Sequence, residues 1–173
     1  TKTRRTRCAT CSVWALGNRF EITSALPVDV DALWAHCSSM EGVGRELRPL
    51  LRMTYPDGAE SLVPRPFVPG ERLFRSTILL FGVLPVDWSD LTLVELDVGS
   101  RFLERSPMAT QRLWEHERLL EPFENGTRIT DRLTWEGKTP ALTRLFAAFV
   151  PLLFRWRHHR LGQIFGAVAH GIE

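Results

Sequence analysis

The chain has 173 residues, 44% of them hydrophobic and 24% charged, with a formal net charge of +2. These proportions suit one globular domain with a sizeable core and exclude a disordered or collagen-like chain. The small charge excess, with no stripe of interleaved basic and aromatic residues, excludes a nucleic-acid partner from the reading. Ten Phe and six Trp against one Tyr give bulky apolar volume with few hydroxyls, suited to a core or a greasy cavity. Three cysteines make no disulfide framework, and a reducing cytoplasm is the expected setting. No secretory leader is expected, since Arg, Thr, Gly and Asn interrupt the first apolar residues. The longest apolar stretch, residues 145–154, falls well short of the roughly 20 residues that span a bilayer.

Residues 1–18 show no period and are expected to form a flexible extension, leaving 19–173 as the domain. Phe20, Ile22, Ser24 and Leu26 alternate with Arg19, Glu21, Thr23 and Ala25, the pattern of a half-buried strand that Pro27 ends. Asp29 or Asp31 caps a short helix carrying Val30, Leu33, Trp34 and Cys37 on one side. A second short helix covers 41–48, with Gly42-Val43-Gly44 loosening the link between the two, and Pro49 stops it. Residues 50–55 read as a strand closed by Pro56-Asp57-Gly58, and 59–70 as an irregular, proline-containing connection. Strands are predicted at 72–83, 91–98, 101–105, 112–121 and 127–135. The segment 84–90 joins the first two, and Glu124-Asn125-Gly126 turns the last pair into a hairpin. Short turns throughout imply an antiparallel sheet. Thr139 and Pro140 open a long helix over 140–169 whose stripe includes Leu153, Phe154, Arg157 and Leu161, with a kink expected at Pro151.

The order of these elements carries a resemblance, as do three local sequences: Phe102-Leu103-Glu104-Arg105-Ser106, Trp114-Glu115-His116 and Gly126-Thr127-Arg128-Ile129-Thr130-Asp131. Together with Leu153-Phe154-Arg155-Trp156-Arg157-His158 they resemble the SRPBCC superfamily, the START-like or helix-grip domains. The resemblance implies an α+β fold in which a curved antiparallel sheet of about seven strands wraps the C-terminal helix. It also implies binding or transport of a small hydrophobic ligand, such as a lipid, polyketide or aromatic metabolite, in an internal cavity. The alternatives are a polyketide cyclase or dehydratase, and an interaction module whose cavity is filled by its own aromatic residues.

Period-two parity puts Trp114 and His116 on one strand face and Asp131, Leu133 and Trp135 on one face of the next. Phe102, Glu104, Trp114, His116, Asp131, Leu133, Trp135, Phe154 and Arg157 are the expected ligand-binding residues. The two short helices and the proline-containing connection are expected at the cavity mouth. An arginine on an apolar helix stripe needs a counter-charge. Asp131 and Glu104 are the candidate partners of Arg157, and an ion pair pinning helix to sheet is the favoured reading. His116, with an acidic partner, is the candidate acid or base should the protein be an enzyme. Cys8-x-x-Cys11 lacks the second pair of a zinc ribbon, and His158 and His159 point about 100° apart on a helix and read as solvated. No phosphate loop, nucleotide fingerprint or nucleophile motif is present, so neither cofactor nor metal is expected. The partner is a small hydrophobic molecule, the assembly a monomer or homodimer. The apolar helix face is assigned to closing the sheet rather than to a membrane surface.

Overall fold

A computed structural model describes residues 18–64 and 66–166. In chain order the elements are β1 (Asn18–Leu26), α1 (Val30–Cys37), α2 (Met40–Leu47), β2 (Leu51–Met53), β3 (Arg72–Leu80), β4 (Leu84–Asp97), β5 (Arg101–Arg105), β6 (Gln111–Phe123), β7 (Gly126–Gly137) and α3 (Pro140–Phe165). The strands form one antiparallel sheet in the order β1-β7-β6-β5-β4-β3-β2. The predicted α+β architecture is therefore the observed one: a curled half-barrel holding a C-terminal helix, with two short helices after the first strand.

Local chemistry sets the helix starts. The Asp29 carboxylate accepts from the Ala32 N–H at 2.8 Å, Ser39 Oγ from Gly42 N–H at 3.0 Å, and Thr139 Oγ1 from Leu142 N–H at 3.3 Å. Each satisfies a donor that the first helical turn leaves unpaired. α3 runs through Pro151 and closes at Phe165, where Gly166 takes a φ of 86°. That left-handed backbone suits glycine and terminates the helix. The expected continuation to Ala169, the expected N-terminal extension and the Cys8-x-x-Cys11 motif lie outside the described residues, Asn18 excepted: it is the first residue of β1.

One connection was misassigned in the sequence. β3 stops at Leu80, Phe81 and Gly82 turn with φ of 51° and 76°, and residues 84–90 are the first half of β4 rather than a link. Pro85 had argued for a break. It sits at a register shift between Ile78 and Leu79, where the ladder is already interrupted and a missing N–H costs little.

Two apolar clusters fill the concave side. One packs Met40, Val43 and Leu47 of α2 against Leu51, Phe74, Leu91, Leu133, Trp135 and the middle of α3. The other packs Leu33, Trp34 and Cys37 of α1 against Leu26, Phe102, Leu120, Ile129 and Leu161. α2 comes close to the end of α1 only because Gly42 has no side chain: a Cβ there would lie 1.9 Å from the His36 carbonyl oxygen, whereas one on Gly44 meets nothing within 4 Å. Gly42→Ala is expected to lower unfolding stability by about 1–3 kcal/mol through overpacking. Gly44→Ala should be neutral or gain up to about 1 kcal/mol from helix propensity. Urea denaturation of the two variants checks both signs.

Candidate functional site

A buried chain of charges separates the two apolar clusters. The Arg118 guanidinium, on β6 and 1% exposed, donates to Asp131 on β7 at 2.7 and 2.8 Å and to Glu46 on α2 at 3.0 and 3.1 Å. Arg157 of α3 donates to Glu46 from Nε at 2.9 Å, and its terminal nitrogen lies 2.7 Å from the same oxygen. Two histidines complete Asp131: His116 Nε2 lies 2.8 Å from Oδ1 and His158 Nε2 lies 3.0 Å from Oδ2. The other ring nitrogen of His158 reaches Ser24 Oγ on β1 at 2.8 Å.

Two guanidinium and two carboxylate groups balance, which is what lets them lie out of water. Burial alone would raise the Asp131 carboxyl, but Arg118 and then His116 outweigh it and hold the group well below the ordinary carboxylate range. Burial opposes ionisation of Glu46 too, and Arg118 and Arg157 again prevail, so its pKa is lowered. Burial likewise tends to strip the proton from Arg118, yet Asp131 and Glu46 push its pKa further up. Cys37 is the exception. Burial pushes its thiol up to about 12, so it faces Glu46 as S–H, with Sγ 3.9 Å from Oε1.

Beside this chain lies a cavity of about 360 Å³, between the first two-thirds of α3 and strands β2 to β6. Its walls include Leu47, Leu51, Ile78, Leu80, Phe146, Phe149 and Leu153, and its polar groups include Asp87, Ser89, Glu104, His116 and Arg157. The Asp87 carboxylate is occupied by Trp88 N–H at 2.8 Å, Ala109 N–H at 3.0 Å and the Thr110 hydroxyl. The His116 ring is held edge-on by Phe102 and Phe154, with centroids at 5.5 and 5.1 Å, and its Nδ1 stands 3.7 Å from Glu104 Oε2. A larger groove of about 510 Å³ lies on another side of α3, against residues 22–26, and takes in Arg155, His159 and Gln163.

Of the predicted residues, Glu104, Trp114, His116, Phe154 and Arg157 line the cavity. Phe102, Asp131, Leu133 and Trp135 lie buried behind its wall. Three expectations need correction. Arg157 pairs with Glu46, not with Asp131 or Glu104, because Arg118 already fills the fork of Asp131. His158 is buried rather than solvated, while His159 is exposed as expected. Of the short helices and the proline-containing connection, only Leu47 of α2 reaches the cavity wall.

Glu46, Arg118 and His158 were missed, and each carried a signal. Arg118 continues the face of Trp114 and His116 two residues on. Glu46 lies three residues after Val43, on the helix face of Met40 and Leu47, and His158 four after Phe154. Among the described residues no group of His, Cys, Asp and Glu is arranged to hold a metal ion, and no helix is long and apolar enough to cross a membrane.

A curled antiparallel sheet, a helix laid in its grip and a cavity between them define a helix-grip type of protein. Similar solved structures share that fold. Protein CV1439 from Chromobacterium violaceum matches with a TM-score of 0.64 at 13% identity, covering 87% of this chain and 99% of that one. Ms6760 from Mycobacterium smegmatis matches with 0.62 at 16%, covering 88% and 93%. Ara h 8.0201 matches with 0.54 at 13%, covering 84% and 97%. Likeness at these identities concerns fold alone. No curated protein matches in sequence. Residues 24–165 match the family described as "Domain of unknown function (DUF8410)", and the chain belongs to that family.

The charge chain predicts an acid-labile fold. Glu46 and Asp131 have folded-state pKa values below their unfolded ones, so their contribution is complete above the unfolded values near pH 4 and is lost as pH falls below them. Urea midpoints should change little from neutral pH to about pH 5 and drop steeply under about pH 4. Glu46→Gln, which leaves Arg157 without its counter-charge, should cost about 3–5 kcal/mol at neutral pH and flatten that acid limb.

Proposed function

We propose that the protein binds or carries a small hydrophobic molecule in the cavity between α3 and the sheet. The observation that carries this reading is the character of the cavity: about 360 Å³, walled mainly by Leu, Ile and Phe, with a few convergent polar groups. Pockets that take small organic ligands have this make-up, apolar walls for affinity and sparse polar groups for orientation. Burial of ligand surface at roughly 25 cal/mol per Å² supplies the driving force, less the entropy of association. The space also counts against a module whose own aromatic residues fill its interior. Trp114, His116, Phe154, Glu104 and Arg157 contact the ligand, while Asp131 acts through His116. The likeness in fold to Bet v 1-like proteins supports the same reading.

A second reading, a cyclase or dehydratase, is favoured by one observation. The ionised Asp131 carboxylate faces His116 Nε2 at 2.8 Å, which fixes that nitrogen as the donor and leaves Nδ1 on the side of Glu104 for proton transfer. Native mass spectrometry of freshly purified protein should show an apolar adduct, and the stripped protein should bind Nile red saturably at one site. Ile78→Trp, which fills the cavity from β3, should weaken that binding about tenfold with the fold retained by circular dichroism. Absence of any Nile red binding would rule out the carrier reading. Loss of a measurable cyclisation or dehydration in His116→Ala, with Nile red still bound, would decide for the enzyme.

A further inference from the structure

Ser24, His158 and Asp131 form a relay on the side of α3 away from the cavity. Ser24 Oγ lies 2.8 Å from His158 Nδ1, and His158 Nε2 lies 3.0 Å from Asp131 Oδ2. His158 is 5% exposed, and Ser24 is half-buried on β1. Arg118 keeps the Asp131 carboxyl ionised, so Asp131 has no proton to give and His158 Nε2–H is the donor of their bond. In the neutral ring Nδ1 is then an acceptor, and the Ser24 hydroxyl donates to it. A serine hydroxyl on one imidazole nitrogen, with a carboxylate fixing the other, is the arrangement that activates serine as a nucleophile.

A plain tie between α3 and β1 would account for the bond alone, but not for its setting. Ser24 and His158 both line the groove of about 510 Å³, so the pair borders open space large enough for a small molecule. No carboxylate lines that groove, so negative charge growing on a carbonyl oxygen there meets no like charge. β1 is also the last strand on its side of the sheet among the described residues. Along an antiparallel edge, alternate residues turn their N–H groups away from the neighbouring strand. Either the Ser24 N–H or those of Thr23 and Ala25 therefore face outward, giving a main-chain donor within one residue of the nucleophile.

From this geometry we propose that the protein cleaves small carboxylic esters in the groove between β1 and α3, with Ser24 as nucleophile, His158 as base and Asp131 as the positioning residue for the ring. Ser24 Oγ bonds to the ester carbonyl carbon as its proton passes to His158 Nδ1. The bond from that carbon to the alkoxy oxygen breaks, the alcohol leaves with the proton, and the acyl group stays on Ser24. Water then attacks the acyl carbon and gives a proton to the same nitrogen. The proton returns to Oγ as the acid departs, and nothing is oxidised or reduced. Ser24 does not line the cavity, so the proposal stands apart from the carrier reading.

The test treats the native full chain with diisopropyl fluorophosphate at neutral pH and maps the adduct by peptide mass. One adduct is expected, on Ser24, and none on Ser24 of the urea-unfolded chain. His158→Gln, whose amide can still meet both neighbours, should slow labelling about a hundredfold or more with the fold retained by circular dichroism. If that variant does not fold, Ser24→Cys carries the comparison: its thiol should react with iodoacetamide about tenfold faster in the native chain than in the unfolded one. Hydrolysis of p-nitrophenyl butyrate should fall to the buffer rate in Ser24→Ala, while Nile red binding stays as in the native protein. No adduct on native Ser24, labelling that His158→Gln leaves unchanged, or an ester rate that Ser24→Ala leaves unchanged would overturn the proposal and leave the cavity reading intact.

Discussion

Arg118 sits where four segments of the chain meet, and its four hydrogen bonds are shared equally between two carboxylates, Asp131 and Glu46. Glu46 comes from a helix more than seventy residues earlier in sequence and Asp131 from the next strand, while Arg157 reaches Glu46 from the terminal helix. Apolar packing would tolerate a helix slid along its neighbours, since one Leu replaces another at small cost. Charges removed from water tolerate no such slip, because an unpaired member is far more costly than a lost methyl contact. The network therefore sets position more than it adds stability: which turn of α3 and which residue of α2 lie over the middle of β6 and β7.

That registration is what shapes the cavity. With α3 fixed at Arg157 and His158, its preceding turns extend over β2 to β5 and leave a space bounded by Phe146, Phe149 and Leu153. His116 belongs to both regions. One nitrogen joins the charge network through Asp131, the other side of the ring faces the cavity, and two phenyl edges prevent it from turning. A perturbation at Glu46 or Arg118 reaches the cavity along this route, through contacts rather than through the backbone.

The sequence made the architecture readable because each element carried its own period and its own stop. Alternation marked β1, the Glu124-Asn125-Gly126 turn marked the β6–β7 hairpin, and Thr139-Pro140 opened α3. The first half of β4 was obscured because Pro85 and the Trp88-Ser89-Asp90 cluster imitate a loop, and only the register shift with β3 shows why a proline is tolerated there. The site was half legible. Parity found His116 and Asp131, and the apolar stripe found Arg157, but pairing is a property of three-dimensional neighbours. Nothing in the local sequence says that Arg118 takes both oxygens of Asp131 and sends Arg157 to Glu46. His158 reads as solvated alongside His159 because adjacent helical positions diverge, whereas a helix stripe is wide enough to bury it beside Arg157.

The terminal helix draws most of its polar ties from its second half. Beyond Pro151 it is tied by Trp156 to the Arg48 carbonyl, by Arg157 to Glu46, by His158 to Asp131 and Ser24, and by Arg160 to the Arg45 carbonyl. Before Pro151, its sole hydrogen bond to the sheet among the described residues runs from the Gly137 N–H to Thr143 Oγ1. Its second half is thus clamped in the polar interior, while its first half, joined to β7 through residues 138–139, rests on oily contacts over the hollow. Proline 151 leaves the rung to residue 147 unmade, close to the clamp. Displacing the half of the helix that covers the hollow would expose hydrocarbon but separate none of the buried ion pairs, which all lie on the other side of Pro151.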